Sequence, residues 1–332
     1  MSSEQSYYVM CTRDVKKGQF TAEPGKTRFL RVPYLDDPKP THEIPREEWF
    51  KSVMRSAEWG KDPRFPTRNR GDILFFVHGY NSSQDEIMRR HRRLDTDLKA
   101  VGFKGLIVSY DWPSNDKALN YIEDRHDAKK TAMQLVSDGI KAFAALQQPD
   151  CSINVHLLCH STGAYVVREA FDDADDAKTA NNSWMVSQIA FIGADVSSGS
   201  MSSGNSSTDS LYRHCVRLTN YSNLHDSVLK LSNAKRIGVA PRVGRVGLPN
   251  ETPDKAVNID CTDYFAALSS DSDKSLYNEH QAEEIGSFNH SWYIGNTLFT
   301  KDLFLTIIGD SDRSQIPTRQ VSAAGRLSLR LP

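Results

Sequence analysis

Long apolar runs are missing from the chain. The run in the first core-like strand, Ile73 to Val77, is far short of the ~20 residues that a membrane span requires. The N-terminus, MSSEQSYYVM, has no basic stretch followed by an apolar one, so no signal peptide is expected. Cysteine is scarce: five in 332 residues, namely Cys11, Cys151, Cys159, Cys215 and Cys261. Their number is odd, no CxxC pair occurs, and each lies in or beside an apolar, strand-like segment. This pattern reads as free thiols in a reducing compartment, the cytoplasm, and not as a disulfide framework. Excess charge is also absent. The 41 Lys+Arg and 42 Asp+Glu leave a formal net charge of −1, which argues against a dedicated nucleic-acid or anionic-membrane binder. HExxH, zinc-ligand spacing, a P-loop and a GxGxxG after a strand are all missing, so no cofactor and no metal are expected. No internal repeat is found.

Hydrophobic residues make up 39% and charged residues 25%, a globular balance. The length suits one large domain or two small ones. Two strand-like pieces, Tyr7–Thr12 and Thr27–Val32, and a helical piece, Arg46–Trp59, occupy residues 1–70. From Asp72 to about residue 310, short apolar runs alternate with helical stretches. The strands are Ile73–His78, Gly105–Tyr110, Ile153–Cys159, Gln188–Ala194, Cys215–Tyr221 and a weaker Val257–Asp260. The helices are Ser82–Val101, Asp116–Leu146, Thr162–Ala174, Asp226–Ser232 and Trp292–Ile308. This alternation predicts an α/β fold with a mainly parallel central sheet and helices on both faces. Three segments break it. Val196–Ser210 is Ser/Gly-rich and reads as a flexible surface loop. Ile237–Leu248 reads as irregular or a hairpin. Residues 311–332 read as a polar C-terminal tail, disordered or docked elsewhere.

The strongest local signal is INVHLLCHSTGAYVVREAF. A strand runs to Cys159, a sharp turn holds His160, Ser161 and Thr162, and a helix starts at Gly163. This is the pattern of a nucleophile elbow, x-x-Ser-x-Gly. Such a turn places the serine in a strained backbone conformation that exposes its Oγ. Residues two before and two after must be small, and here they are Cys159 and Gly163. Cys159 departs from the usual glycine but is small enough. The helix N-terminus behind Ser161 favours developing negative charge. Read blandly, Ser161 would be an N-cap serine only.

The second signal is ILFFVHGYNSS. A strand ends in His78-Gly79-Tyr80-Asn81, where a loop N–H can meet an oxyanion. The N–H groups of Tyr80 and Thr162 are then the two donors, with Asn81 as an auxiliary and His78 supporting the loop. Tyr110, Trp112 and Pro113 follow the next strand as candidate pocket walls. Packing is the stronger reading of Trp112.

HGYN, SYDWPS and CHSTG, each after an apolar strand, resemble the α/β-hydrolase superfamily. More narrowly, the chain is similar to a bacterial α/β-hydrolase family catalogued as a domain of unknown function. Further matching stretches are LTNYSNLHDSVLKLS, IGVAPRVGRVGL, VNIDCTDYF and NHSWY. The resemblance spans roughly residues 72 to 310. It implies a Ser…Asp…His triad in that chain order. Asp226, after the strand ending near Tyr221, is favoured over Asp195 at the end of IAFIGAD. Asp226 also suits a helix N-cap. Of the ten histidines, only His280 and His290 lie downstream of Asp226. His280 sits in a charged stretch, whereas His290 precedes an apolar helix and is the expected base. His160 is discounted, because neighbours around a sharp turn usually point apart.

These readings imply a serine hydrolase acting on small-molecule acyl esters. Amidase, peptidase and thioesterase chemistry use the same triad. A hydrolase-like binding protein is the alternative from another class.

Overall fold

All five residues of Ile73–Val77 are fully buried, which a strand achieves only when both its faces are covered. Ile73, Phe75 and Val77 enter one hydrophobic cluster with Leu135, Ile140, Phe143, Val166, Ala170 and Phe171. Leu74 and Phe76 enter the other with Leu94, Leu98, Phe299, Leu303 and Ile307. The period-2 alternation of one strand thus serves two helical layers. The structure, a computed structural model, describes residues 5–63, 65–80, 82–114, 129, 131–146, 151–176, 184–234, 241–268, 286–322 and 325–331.

In chain order the elements begin β1 (Ser6–Lys16), β2 (Gln19–Pro33), α1 (Arg46–Ala57), β3 (Glu58–Asp62), β4 (Phe65–Val77), α2 (Gln84–Ala100) and β5 (Leu106–Asp111). A π-helical segment, Leu135–Ile140, leads into α3 (Lys141–Leu146), followed by β6 (Cys151–His160), α4 (Thr162–Asp176), β7 (Val186–Ile192), α5 (Ser206–Arg213) and β8 (Cys215–Ser222). The chain ends with α6 (Ser227–Ala234), α7 (Val243–Val246), β9 (Ala256–Asp260), α8 (Thr262–Leu268), α9 (Phe288–Ser291), α10 (Thr297–Ile308), β10 (Arg319–Val321) and β11 (Leu327–Leu329).

Eleven strands of the described residues form one sheet, ordered β10-β11-β9-β8-β7-β6-β4-β5-β1-β2, with β3 on β4. Pairing is parallel from β11 through to β1 and antiparallel at β10–β11, β1–β2 and β3–β4. The expected parallel α/β sheet, covered on both faces, is therefore present. Parallel pairing brings the C-terminal ends of β4, β5, β6, β7 and β8 to one edge, where crevices form.

Three expectations about segments change. Val196–Ser210 is not a flexible loop. It contains a 3₁₀ turn, Gly199–Met201, and the start of α5, with Met201 and Thr208 buried. Its serine-rich composition serves local bonding: Asn205 Oδ1 accepts from Ser207 N, and Thr208 Oγ1 donates to Ser200 O at 2.6 Å. In Ile237–Leu248, residues 237–240 lie outside the described set, and Val243–Val246 is a helical turn. The helix expected from Trp292 to Ile308 forms only as α10, Thr297–Ile308: residues 292–295 are turns, Gly295 stands at φ +89, and Asn296 caps α10 by accepting from Phe299 N. Most of the helix expected over Asp116–Leu146 lies outside the described residues, as does His280.

Nor do the chain ends stand apart from the sheet. β4 crosses the expected boundary at residue 70, β1 pairs with β5, and the supposed tail supplies β10 and β11. Arg319 in β10 is fully buried. Its Nη2 lies 2.7 Å from Asp302 Oδ1 on α10, and Thr318, Tyr221 and Thr306 complete the network. Arg319→Met should leave Asp302 buried and unpaired, costing about 3–5 kcal/mol in urea unfolding. The double change with Asp302→Leu should recover most of that loss. A single-variant cost under about 1 kcal/mol would mean that this pair does not hold the C-terminal strands.

Candidate active site

Ser161 alone makes the turn between β6 and α4, with φ +55. Among the described residues only Lys17, in the β1–β2 hairpin, shares a positive φ without being glycine. Such a conformation costs on the order of 1–3 kcal/mol and needs support from its surroundings. Ser161 N donates to Ile192 O at 3.0 Å. Ser161 O accepts from Asp195 N at 3.0 Å and Ala164 N at 3.1 Å. The end of β7 and the first turn of α4 thus hold the serine from two sides.

Close approach explains the small residues. A Cβ on Gly163 would stand 2.3 Å from Val77 O, so α4 packs directly on the end of β4. One on Gly79 would stand 2.7 Å from Ser161 Cβ and 3.1 Å from His160 Nδ1. The His78–Tyr80 loop therefore lies against the serine. Cys159 is fully buried, and its sulfur is tolerated at the position two before Ser161. Thr162 opens α4. Asn81 lies outside the described residues.

His290 Nδ1 donates to Asp226 Oδ2 at 2.7 Å. Asp226 is 1% exposed, and its Oδ1 accepts from Leu229 N at 2.9 Å, capping α6. Asp226 thus caps α6 with one oxygen and meets His290 with the other. His290 Nε2 is buried without a hydrogen-bond partner. With Nδ1 donating, Nε2 is the acceptor nitrogen. His290 reaches the elbow through Gly193: a Cβ there would stand 3.0 Å from His290 Cε1. Asp195 takes a different partner. Arg242 Nε lies 2.9 Å from Asp195 Oδ1, with both side chains buried.

One placement differs from expectation, and Trp112 follows its packing reading. His160 does not point away: its ring centre lies 4.9 Å from that of His290, and its Nε2 is 3.3 Å from Ser291 Oγ. Burial, together with the neighbouring His290, pushes the His160 imidazole well below its ordinary pKa, so it stays neutral. Trp112 is fully buried and stacks on His78 at 5.2 Å, and its Nε1 donates to His78 O at 2.8 Å. It therefore braces the His78 loop from behind and does not wall an open pocket. No group of three or more metal-ligating side chains occurs among the described residues. No helix among them is long and apolar enough to cross a membrane.

Residues 58–264 match the family model described as alpha/beta hydrolase of unknown function (DUF900). The chain belongs to this family. The matched stretch contains Tyr80, Ser161, Thr162 and Asp226, whereas His290 and all of β1 and β2 lie outside it. No curated protein matches the chain.

Solved structures similar to this DUF900 chain overlap with it only partly. A candidate cell surface hydrolase from Lactobacillus plantarum is 14% identical, over 57% of this chain and 81% of that one, with a TM-score of 0.32. Phospholipase PlaB from Legionella pneumophila is 16% identical, over 52% of this chain and 43% of that one, with a TM-score of 0.30. The chain thus spans less than half of that phospholipase. The metagenomic carboxyl esterase MGS0156 is 13% identical, over 75% and 76%, with a TM-score of 0.31.

Proposed function

We propose that this α/β hydrolase is a serine carboxylic-ester hydrolase working through an acyl-enzyme. The observation that supports it most is the 2.7 Å bond from His290 to Asp226, together with a serine held at φ +55. Ser161 Oγ attacks the acyl carbonyl carbon while His290 Nε2 takes its proton. The N–H groups of Tyr80 and Thr162 stabilise the oxyanion, each contributing on the order of 10²–10³ in kcat. Asp226 holds the tautomer and stabilises the imidazolium. His290 then returns the proton to the leaving alcohol, and water, activated by the same imidazole, releases the acid. Catalytic hydrogen bonds are often long without substrate, which suits the unpartnered Nε2. The substrate in this reading is a small acyl ester. The buried free thiols Cys11, Cys159, Cys215 and Cys261 support a cytoplasmic setting.

A fluorophosphonate probe, followed by intact mass and site mapping, tests this without guessing the substrate. One adduct, on Ser161, is expected. Ester, amide and thioester panels on the unlabelled enzyme then decide the leaving group. A folded protein that takes no adduct would favour the hydrolase-like binding protein.

A further inference from the structure

Beneath the His78–Ser82 loop lies a buried charged cluster that the mechanism does not use. Arg13 comes from β1, outside the stretch that matches the family. Its Nε lies 2.6 Å from Asp111 Oδ1, at the C-terminal end of β5. Its Nη2 donates to Ser82 O and its Nη1 to Ser114 O, both at 3.2 Å. Asp111 is fully buried and also accepts from Gln84 Nε2 at 2.9 Å and Cys11 Sγ at 3.3 Å, and His78 Nε2 lies 3.5 Å from its Oδ1. Burial alone would raise the Asp111 pKa, but Arg13 and His78 outweigh it and hold the group below the usual carboxylate range. Asp111 is therefore ionised.

The loop is thus gripped at both ends. At one end Trp112 holds His78 O, and His78 Nδ1 donates to Gly79 O at 2.7 Å. At the other, Arg13 and Ser114 both donate to Ser82 O. Tyr80, the proposed oxyanion donor, sits between these anchors.

We infer that Arg13 is a positioning residue for the oxyanion loop, acting through Asp111 and the Ser82 carbonyl. The inference rests on the serine-hydrolase reading. It gives the N-terminal hairpin a part in the chemistry, because a donor displaced by about 1 Å can cost on the order of 10² in rate. A planar guanidinium can serve three acceptors at once, which an ammonium cannot reproduce.

The test compares the full-length parent, Arg13→Lys and the double variant Arg13→Met/Asp111→Leu, which removes both charges together. Replacing a buried pair by apolar side chains is often neutral for stability, so the double variant should unfold near the parent midpoint in urea. Its fluorophosphonate labelling rate and kcat on a small p-nitrophenyl ester should fall about 10²-fold, with KM within about threefold. Arg13→Lys should lose about tenfold. A folded double variant that labels at the parent rate would overturn the inference while leaving the serine-hydrolase reading intact. Should the double variant not fold, unchanged labelling of Arg13→Lys overturns it equally. A parent that takes no label brings down the serine-hydrolase reading, and this inference with it.

Discussion

Ser161→Ala and His290→Ala are each expected to lower kcat by about 10⁴-fold or more, with the double variant losing little beyond either single one. The non-additivity follows from the division of labour. Without Oγ there is no proton for His290 to take, and without His290 the hydroxyl remains a weak nucleophile. The residual rate would come from the oxyanion donors and substrate binding, which neither change removes. Ser161→Ala should also stabilise the fold slightly or leave it unchanged, since its backbone bonds to Ile192 and from Asp195 do not involve the side chain. The measurement is kcat for the parent, both singles and the double variant on one ester substrate. Activity within tenfold of the parent in both singles would sink the assignment.

Asp226→Asn should cost about 10⁴-fold in kcat, while Asp195→Asn should cost less than about tenfold once folded fraction is normalised. The amide is close in shape to the carboxylate, so the difference is electronic. An asparagine facing Nδ1 can present an N–H, which favours the tautomer with Nε2 protonated and unable to accept from Ser161. Asp195 faces Arg242, not His290. Its replacement should appear in stability, because a buried guanidinium then loses its counter-charge, a change worth about 3–5 kcal/mol. The two variants therefore separate a catalytic acid from a structural one. Equal losses of kcat in both would reopen the choice between them.

How much of this was legible in the chain varies by element. The buried core strand at Ile73–Val77 and the elbow around Ser161 are local patterns. Each depends on residues within a few positions of one another, where period, side-chain size and capping chemistry act directly. Glycines at 79 and 163 also announce close approach, and the structure names their neighbours as Ser161 Cβ and Val77 O. Composition misled at Val196–Ser210, because serine reads as loop whether its hydroxyl meets water or a nearby carbonyl. At residues 311–332 it left disordered and docked readings side by side, and only the packed structure buries Arg319 on Asp302.

Local pattern thus carries the strand–helix alternation and the turn geometry of the nucleophile, whereas the chain order of serine, acid and histidine came only from the family resemblance. The pairings around them were settled only by folding: His290 with Asp226, 64 positions apart, Arg13 with Asp111, 98 apart, and His160 with Ser291, 131 apart. Parallel strand pairing brings these distant residues to one edge of the sheet, and burial there makes an unpaired charge costly. Asp226 and Asp195 look alike along the chain. Each acquires its role from the cation or imidazole that the packed sheet places beside it.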